Sequence, residues 1–205
     1  TIKGFGTVIT GTLISGKITT GEPVMIYPSG IKTKVRGLQV HDQSVTQAET
    51  GQRTAINFQG IEKASVSRGD VVARPDTLRS SYMLDVDMLL LESNERPVKN
   101  REQVRLHTGT SEIACNVILL DREDLIAGEQ AIVQLRLDEP VACVRDDRFV
   151  LRSYSPVRTL GGGRILNPVP RKHKRYRTQA VERLQTLLTD DPETLINFHV
   201  QEAGY

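Results

Sequence analysis

The sequence predicts a mainly β chain: two consecutive small antiparallel β-barrels followed by a short helical segment. Three observations carry that expectation. Short β-branched runs recur at close spacing with Gly or polar turn residues between them, the pattern of all-β barrels and sandwiches. Only 4% of the 205 residues are aromatic and none is Trp, so the core is built from aliphatic side chains. The strand pattern breaks at Arg74-Pro75-Asp76 and ends at Asn167-Pro168-Val169-Pro170.

In the first part, strands are expected over residues 7–14, 24–27, 32–40, 54–58 and 70–73. The first is Thr-Val-Ile-Thr-Gly-Thr-Leu-Ile, β-branched and bounded by glycines. Pro75 cannot sit inside a central strand, and 76–81 is a polar linker. The first barrel is therefore placed at 1–75. A second set of strands is expected over 83–91, 103–110, 112–121, 130–137, 149–154 and 163–166, within a barrel at 82–168. Arg105-Leu-His-Thr and Val133-Gln-Leu-Arg-Leu alternate polar and apolar residues, as half-buried strands do. The remainder, 169–205, changes character. The two prolines make a stiff connector, and residues 171–177 hold five of the 27 basic residues. Ala180, Val181, Leu184, Leu187 and Leu188 then share one helical face. Asp191, Pro192 and Glu193 form an N-cap, first-turn proline and favourable dipole charge for a second helix. Two such helices cannot bury a core alone and are expected to open a third domain.

Several function classes drop out. No apolar run approaches the ~18 residues of a membrane span. The opening residues are not a secretory signal and read as mid-strand, so the chain is expected to begin inside a longer protein. Two cysteines, Cys115 and Cys143, exclude a disulfide framework or Cys-rich zinc site, and their apolar settings suit buried, reduced, cytosolic thiols. The net charge of +2 does not by itself imply nucleic acid, although local patches remain open. Gly11-Thr-Leu-Ile-Ser-Gly16-Lys17-Ile18 imitates a phosphate loop, but Ile18 stands where a hydroxyl must hold magnesium, and β-branched residues replace the required helix start. Gly4-Phe-Gly6 lacks the third glycine of a dinucleotide fingerprint. His41, His107, His173 and His199 show no metal-ligand spacing. No nucleophile elbow is present, and the acidic pairs at 146–147 and 190–191 suit turns and caps. No catalytic or metal residue is assigned.

Gly4-Phe-Gly-Thr-Val-Ile-Thr-Gly11 resembles the G-x-G-T-V-x-T-G hallmark of domain II in translational GTPases of the elongation factor Tu class. Thr20-Gly21-Glu22, Gly51-Gln52-Arg53 and Arg68-Gly69-Asp70-Val71 follow in the order that domain requires. Arg148-Phe-Val-Leu-Arg152 and Thr159-Leu-Gly-Gly-Gly-Arg164 resemble the closing strands of domain III. The likeness covers about residues 1–168. Within the class it is greatest to the selenocysteine-specific elongation factor (SelB) family, on Leu38-Gln-Val-His-Asp-Gln43, Leu151-Arg-Ser-Tyr-Ser-Pro156 and Gly162-Gly-Arg-Ile-Leu-Asn-Pro168. Ordinary elongation factor Tu ends soon after domain III, whereas this chain continues into what resembles the opening of a winged-helix domain.

The resemblance implies a monomeric, cytoplasmic factor that carries selenocysteyl-tRNA to the ribosome at UGA codons and holds a messenger RNA hairpin through later domains. It places GTP, magnesium and GTP hydrolysis in a domain upstream of Thr1, leaving this chain no cofactor and no enzymatic role of its own. The rival readings are a general aminoacyl-tRNA carrier of the class, the GTPase subunit of sulfate adenylyltransferase, or a purely structural pair of barrels.

By the same resemblance, the aminoacylated 3′ end of tRNA is expected at Gly4, Gly6, Thr10, Gln39, His41 and Arg53. Gly4 and Gly6 leave room for close backbone approach, or serve barrel turn geometry alone. Thr10 lies near the aminoacyl group or simply fills a strand. Gln39 and His41 alternate with Leu38 and Val40 and face away from them, towards the adenosine or plain solvent. Arg53 stands at the family's selenol-contacting arginine, and an Asp-Arg dipeptide that completes that pocket would precede Thr1. Arg152, Arg158 and Arg164 are candidates for tRNA phosphates or for structural salt bridges. Arg171, Lys172, Lys174, Arg175, Tyr176 and Arg177 either follow an RNA backbone, with Tyr176 as a stacking face, or form a solvated linker.

Overall fold

The computed structural model describes residues 7–189 and 191–203, and the chain divides into two compact units after Leu78. The first unit contains β1 (Thr7–Thr12), β2 (Lys17–Thr19), β3 (Pro23–Tyr27), β4 (Ile31–Val40), β5 (Gln43–Val45), β6 (Gln47–Glu49), β7 (Arg53–Phe58) and β8 (Val71–Ala73). Its main sheet runs β1-β7-β4-β3-β8 with β5 beside β4, while β2 and β6 form a separate ribbon. All of these pairings are antiparallel. The alternating pattern of β4 sends Val35, Leu38 and Val40 into a core with Ile18, Val24, Ile26, Ala48 and Phe58. The register slips between Val35 and Gly37, as at a β-bulge, which bends the strand there. Buried Tyr27 closes the unit: its hydroxyl donates to the Arg74 carbonyl at 3.2 Å and accepts from the Thr77 amide at 3.2 Å. That contact holds the chain where Pro75 ends the strand pattern.

The second unit contains β9 (Ser80–Leu90), β10 (Val98–Lys99), β11 (Glu102–Thr108), β12 (Ser111–Leu119), β13 (Asp124–Leu125), β14 (Gln130–Ala142), β15 (Arg148–Ser153) and β16 (Thr159–Asn167), then α1 (Thr178–Gln185) and α2 (Pro192–Ala203). Six strands close a barrel in the order β11-β12-β14-β9-β16-β15. Leu84, Val86, Met88, Leu90, Val104, Leu106, Val117, Leu135 and Leu151 fill its interior. Cys115 and Cys143 are free and buried, and burial pushes both thiols up to about 12.

Closure depends on the glycines of β16. A Cβ on Gly161 would lie 2.1 Å from the Leu89 carbonyl oxygen, one on Gly163 1.8 Å from that of Asp87, and one on Gly162 2.4 Å from that of Phe149. Neighbouring backbone thus occupies the space on both sides. The sequence pattern places this strand only over 163–166, because glycines carry no β signal, whereas the strand starts at Thr159. The short strands β2, β5, β6, β10 and β13 are equally unmarked, since two or three residues cannot show a period.

The helices lie against the barrel's outer surface. Leu184, Leu187 and Phe198 pack on Ile118, Leu120, Ile132 and Leu166. β14 is consequently buried on both faces from Ala131 to Leu135. Asp191 caps α2, its carboxylate accepting from the Thr194 amide at 2.9 Å. No described helix is long and apolar enough to cross a membrane.

Gly163→Ala is expected to lower stability by about 3 kcal/mol or more, at the upper end of overpacking costs. Gly11→Ala, where no atom lies within 4 Å of the added carbon, stays within about 0.5 kcal/mol of the parent. Urea unfolding midpoints of the two variants check the contrast.

Candidate nucleic-acid interface

Strand pairing gathers three of the expected site residues on one face of the first unit. Thr10 of β1 stands opposite Ala55 of β7, and Ala55 opposite Gln39 of β4. Partners across an antiparallel ladder project to the same side. Arg53 lies two residues from Ala55, on that same side, opposite Thr12. At strand spacings of ~4.8 Å and rises of ~3.4 Å per residue, Thr10, Gln39 and Arg53 fall within about 10 Å of one another. All three are exposed, and Leu38 and Val40 point the other way, into the core. Arg53 makes no ion pair among the described residues.

Small residues form the floor between them. Ala55 sits in the row of Thr10 and Gln39, and Gly37 pairs with Asn57 in the next row, beside Val8. The added Cβ at Gly37 would meet nothing within 4 Å. The Asn57 side-chain oxygen is buried and has no hydrogen-bond partner among the described residues. Ala55, Gly37 and Asn57 carried no motif and were not anticipated; their only sequence signal is small or polar residues in a run otherwise suited to packing. The face thus combines a shallow floor, hydrogen-bonding groups on Thr10 and Gln39, and a cation at one end.

His41 departs from the expected alternation. β4 ends at Val40, and His41 and Asp42 form the two-residue hairpin turn to β5 with φ of 50° and 62°. Two left-handed residues are the hallmark of the hairpin turn whose twist matches its strands. Val40 pairs with Thr54, so His41 leaves the sheet at the same end as Arg53. Gly4 and Gly6 lie outside the described residues.

The phosphate-loop imitation runs from β1 into β2, with Lys17 opposite Glu49 in the ribbon. No helix follows it, so these residues do not fit a nucleotide's phosphates. Among the described residues no cluster of three or more His, Cys, Asp or Glu is placed to hold a metal ion.

On the second barrel the arginines divide into two kinds. Arg164 donates to the Leu188 carbonyl at 2.7 Å and to Asp146 at 3.3 Å, so it ties the helical segment to the barrel. Arg145 does the same through the carbonyls of Leu187 at 2.9 Å and Thr189 at 2.8 Å. Arg158 is exposed and reaches Glu95 at 3.2 Å. Arg152 lies directly opposite Arg105 across the ladder. Like charges placed so are unfavourable, and Arg105 is held by Glu112 and lies 4.7 Å over the Tyr154 ring. The Arg105 hydrogen bond also holds the Glu112 carboxyl below its usual range. This pair makes a local cationic patch to which Arg105 was not assigned from the sequence.

The basic run divides likewise. Arg175 donates to the Leu119 carbonyl at 2.7 Å and the Arg122 carbonyl at 2.6 Å. The Tyr176 amide donates to the Leu120 carbonyl at 2.7 Å, and its hydroxyl donates to Glu123. Arg175 also lies over the Tyr176 ring at 4.7 Å. That hydroxyl contact holds the Glu123 carboxyl low. Both residues are thus engaged with the barrel's own loop, a structural use. Lys172, Lys174, Arg177 and the Arg171 side chain remain exposed.

Comparison with known proteins agrees with this architecture. Residues 6–73 match the family "Elongation factor Tu domain 2", and residues 85–172 match "Selenocysteine-specific elongation factor, beta-barrel domain". The tandem β units therefore match the order of an elongation factor Tu domain 2 followed by a selenocysteine-specific elongation factor β-barrel domain. The selenocysteine-specific elongation factor of Desulfomicrobium baculatum is 45% identical over 204 residues, covering 100% of this chain and 32% of that protein. The one from Escherichia coli is 31% identical, covering 85% of this chain and 27% of that protein. A crystal structure of the bacterial selenocysteine-specific elongation factor EF-Sec superposes with a TM-score of 0.76 at 26% identity, over 96% of this chain and 31% of that one. Over its full length the chain is similar to selenocysteine-specific elongation factors, and it spans about a third of the length of these relatives.

Arg175→Ala is expected to lower stability by about 1–3 kcal/mol through loss of charged hydrogen bonds to buried carbonyls, while Lys172→Ala stays within about 0.5 kcal/mol. Equilibrium denaturation of both variants distinguishes the structural cations from the surface ones.

Proposed function

We propose that this chain is the aminoacyl-tRNA-binding part of a selenocysteine-specific elongation factor, whose whole form delivers selenocysteyl-tRNA to the ribosome at UGA codons. The observation that carries the reading is Arg53, exposed beside Thr10 and Gln39 on one small-floored face. Thr10, Gln39 and His41, together with Gly4 and Gly6, receive the terminal adenosine and its ester. Arg53 reads the amino acid. A thiol of pKa ~8.5 is mostly protonated at neutral pH, whereas a selenol is more acidic and anionic there. A guanidinium beside the side chain stabilises that anion by a charge-assisted contact and gives neutral serine much less. At ~2–3 kcal/mol, the scale of hydrogen bonds to charged groups, this discriminates roughly 30- to 150-fold.

The Arg105–Arg152 patch on the second barrel supplies phosphate contacts along the tRNA backbone, with Arg158 at its margin. The whole factor acts as a cytoplasmic monomer, uses GTP and magnesium in a GTPase domain, and reads a messenger RNA hairpin through winged-helix domains that begin with the helical segment. Identity of 45% to a selenocysteine-specific factor favours this reading over a general carrier or a sulfate adenylyltransferase subunit.

With the full-length factor and GTP, selenocysteyl-tRNA is expected to be protected from ester hydrolysis at least 30-fold better than seryl-tRNA on the same tRNA, with Arg53→Ala abolishing the difference. Equal protection of both esters by the parent would make it a general carrier. Protection of neither would remove the tRNA assignment.

A further inference from the structure

Asn57 stands on the exposed face of the first unit without a structural task. It is half-buried near the end of β7, and its side chain makes no hydrogen bond among the described residues. Its Oδ1 is shielded from solvent and unpaired. Asn is a poor strand former, and a buried amide atom with no partner lowers stability. An apolar side chain would serve the strand better.

Antiparallel pairing sets Asn57 between Val8 of β1 and Gly37 of β4. Their row lies about 7 Å from the row of Thr10, Ala55 and Gln39, and about 14 Å from Arg53, on the same face. Val8 is 48% exposed and walls the amide on one side with apolar surface. On the other side the space over Gly37 is open, since an added Cβ would meet nothing within 4 Å. The Gly37 backbone also lies outside the left-handed region. Neither its conformation nor a close neighbour therefore requires glycine there. A flat ring laid over Gly37 turns its edge to the Asn57 amide.

We propose that Asn57 reads the base of the terminal nucleoside and makes this face selective for adenine. The inference rests on the reading of the face as the seat of an aminoacylated 3′ end. A side-chain amide offers both donors and an acceptor. With neither end engaged, the Asn57 amide is free to turn about its last side-chain bond and present both. Its oxygen accepts from the exocyclic amine of adenine and its N–H donates to an adjacent ring nitrogen, the pairing by which Asn recognises adenine. Guanine carries an oxygen in place of that amine, so the same edge presents two acceptors and leaves the Asn57 oxygen unpaired. With the base at Asn57, the ribose falls over the row of Thr10 and Gln39, and the ester points towards Arg53.

The test uses the full-length factor with GTP and selenocysteyl-tRNA whose 3′-terminal nucleoside is either adenosine or purine riboside, which lacks only the exocyclic amine. Binding is read as the factor concentration that half-protects the ester from hydrolysis. The parent is expected to need roughly 5- to 150-fold more factor for the purine riboside form. In Asn57→Leu the two forms should be protected at equal concentrations, with a melting temperature at or above the parent's because the unpaired amide is gone. Gly37→Val suits a strand and fills the open space. It should weaken both forms about tenfold or more without lowering the melting temperature. Equal protection of both forms by the parent, the parent's ratio persisting in Asn57→Leu, or parent affinity in Gly37→Val overturns the role of Asn57 and leaves the tRNA reading standing. Protection of neither form by the parent overturns both.

Discussion

Closing the second barrel forces β16 so near both neighbours that three successive positions have no room for a side chain. Carbonyl oxygens of Asp87, Leu89 and Phe149 stand within 2.4 Å of where the added carbons would be. Only glycine meets that constraint. Much else in the unit follows from it. With β16 seated, Arg164 reaches Leu188 from the barrel wall and Leu166 joins the apolar surface under the helices. With β9 held beside it, Asp85 faces Gln134 across the ladder, and the two secure the connector, Asp85 through His173 and Gln134 through the Arg171 carbonyl. The helical segment therefore continues the barrel's packing.

That packing explains where sequence reading stopped. The alternating strands, the break at Pro75 and the Asp191 cap were readable because each rests on local chemistry. The docking of the helices does leave a signal in the sequence. Ile118, Leu120 and Ile132 interrupt the expected alternation with apolar residues on the outer face, as in strands covered on both sides. The basic run misled for a related reason. Charge and spacing could not show that Arg175 would turn back onto the carbonyls of Leu119 and Arg122, or that Tyr176 would adopt a φ of 58° to meet Leu120 and Glu123. These are long-range contacts with no local pattern.

On the first unit the balance differs. Thr10, Gln39 and Arg53 came from resemblance, and simple register arithmetic then places them together on one face. The floor of Ala55 and Gly37 became visible only once three strands were aligned. Period-two alternation correctly put Gln39 outside, and failed at His41 because a hairpin turn, unlike a strand, has no faces. The chain's cations thus sort by what surrounds them. Arg145, Arg164 and Arg175 clasp backbone carbonyls, whereas Arg53 stands exposed on a sheet face.

The most direct test of the central functional claim is photocrosslinking of the full-length factor, with GTP, to selenocysteyl-tRNA carrying a 2-azidoadenosine at its 3′ end. Label is expected in peptides of β1, β4 and β7, around Thr10, Gln39 and Arg53. Label confined to the second unit would contradict the placement of the aminoacyl end on the first.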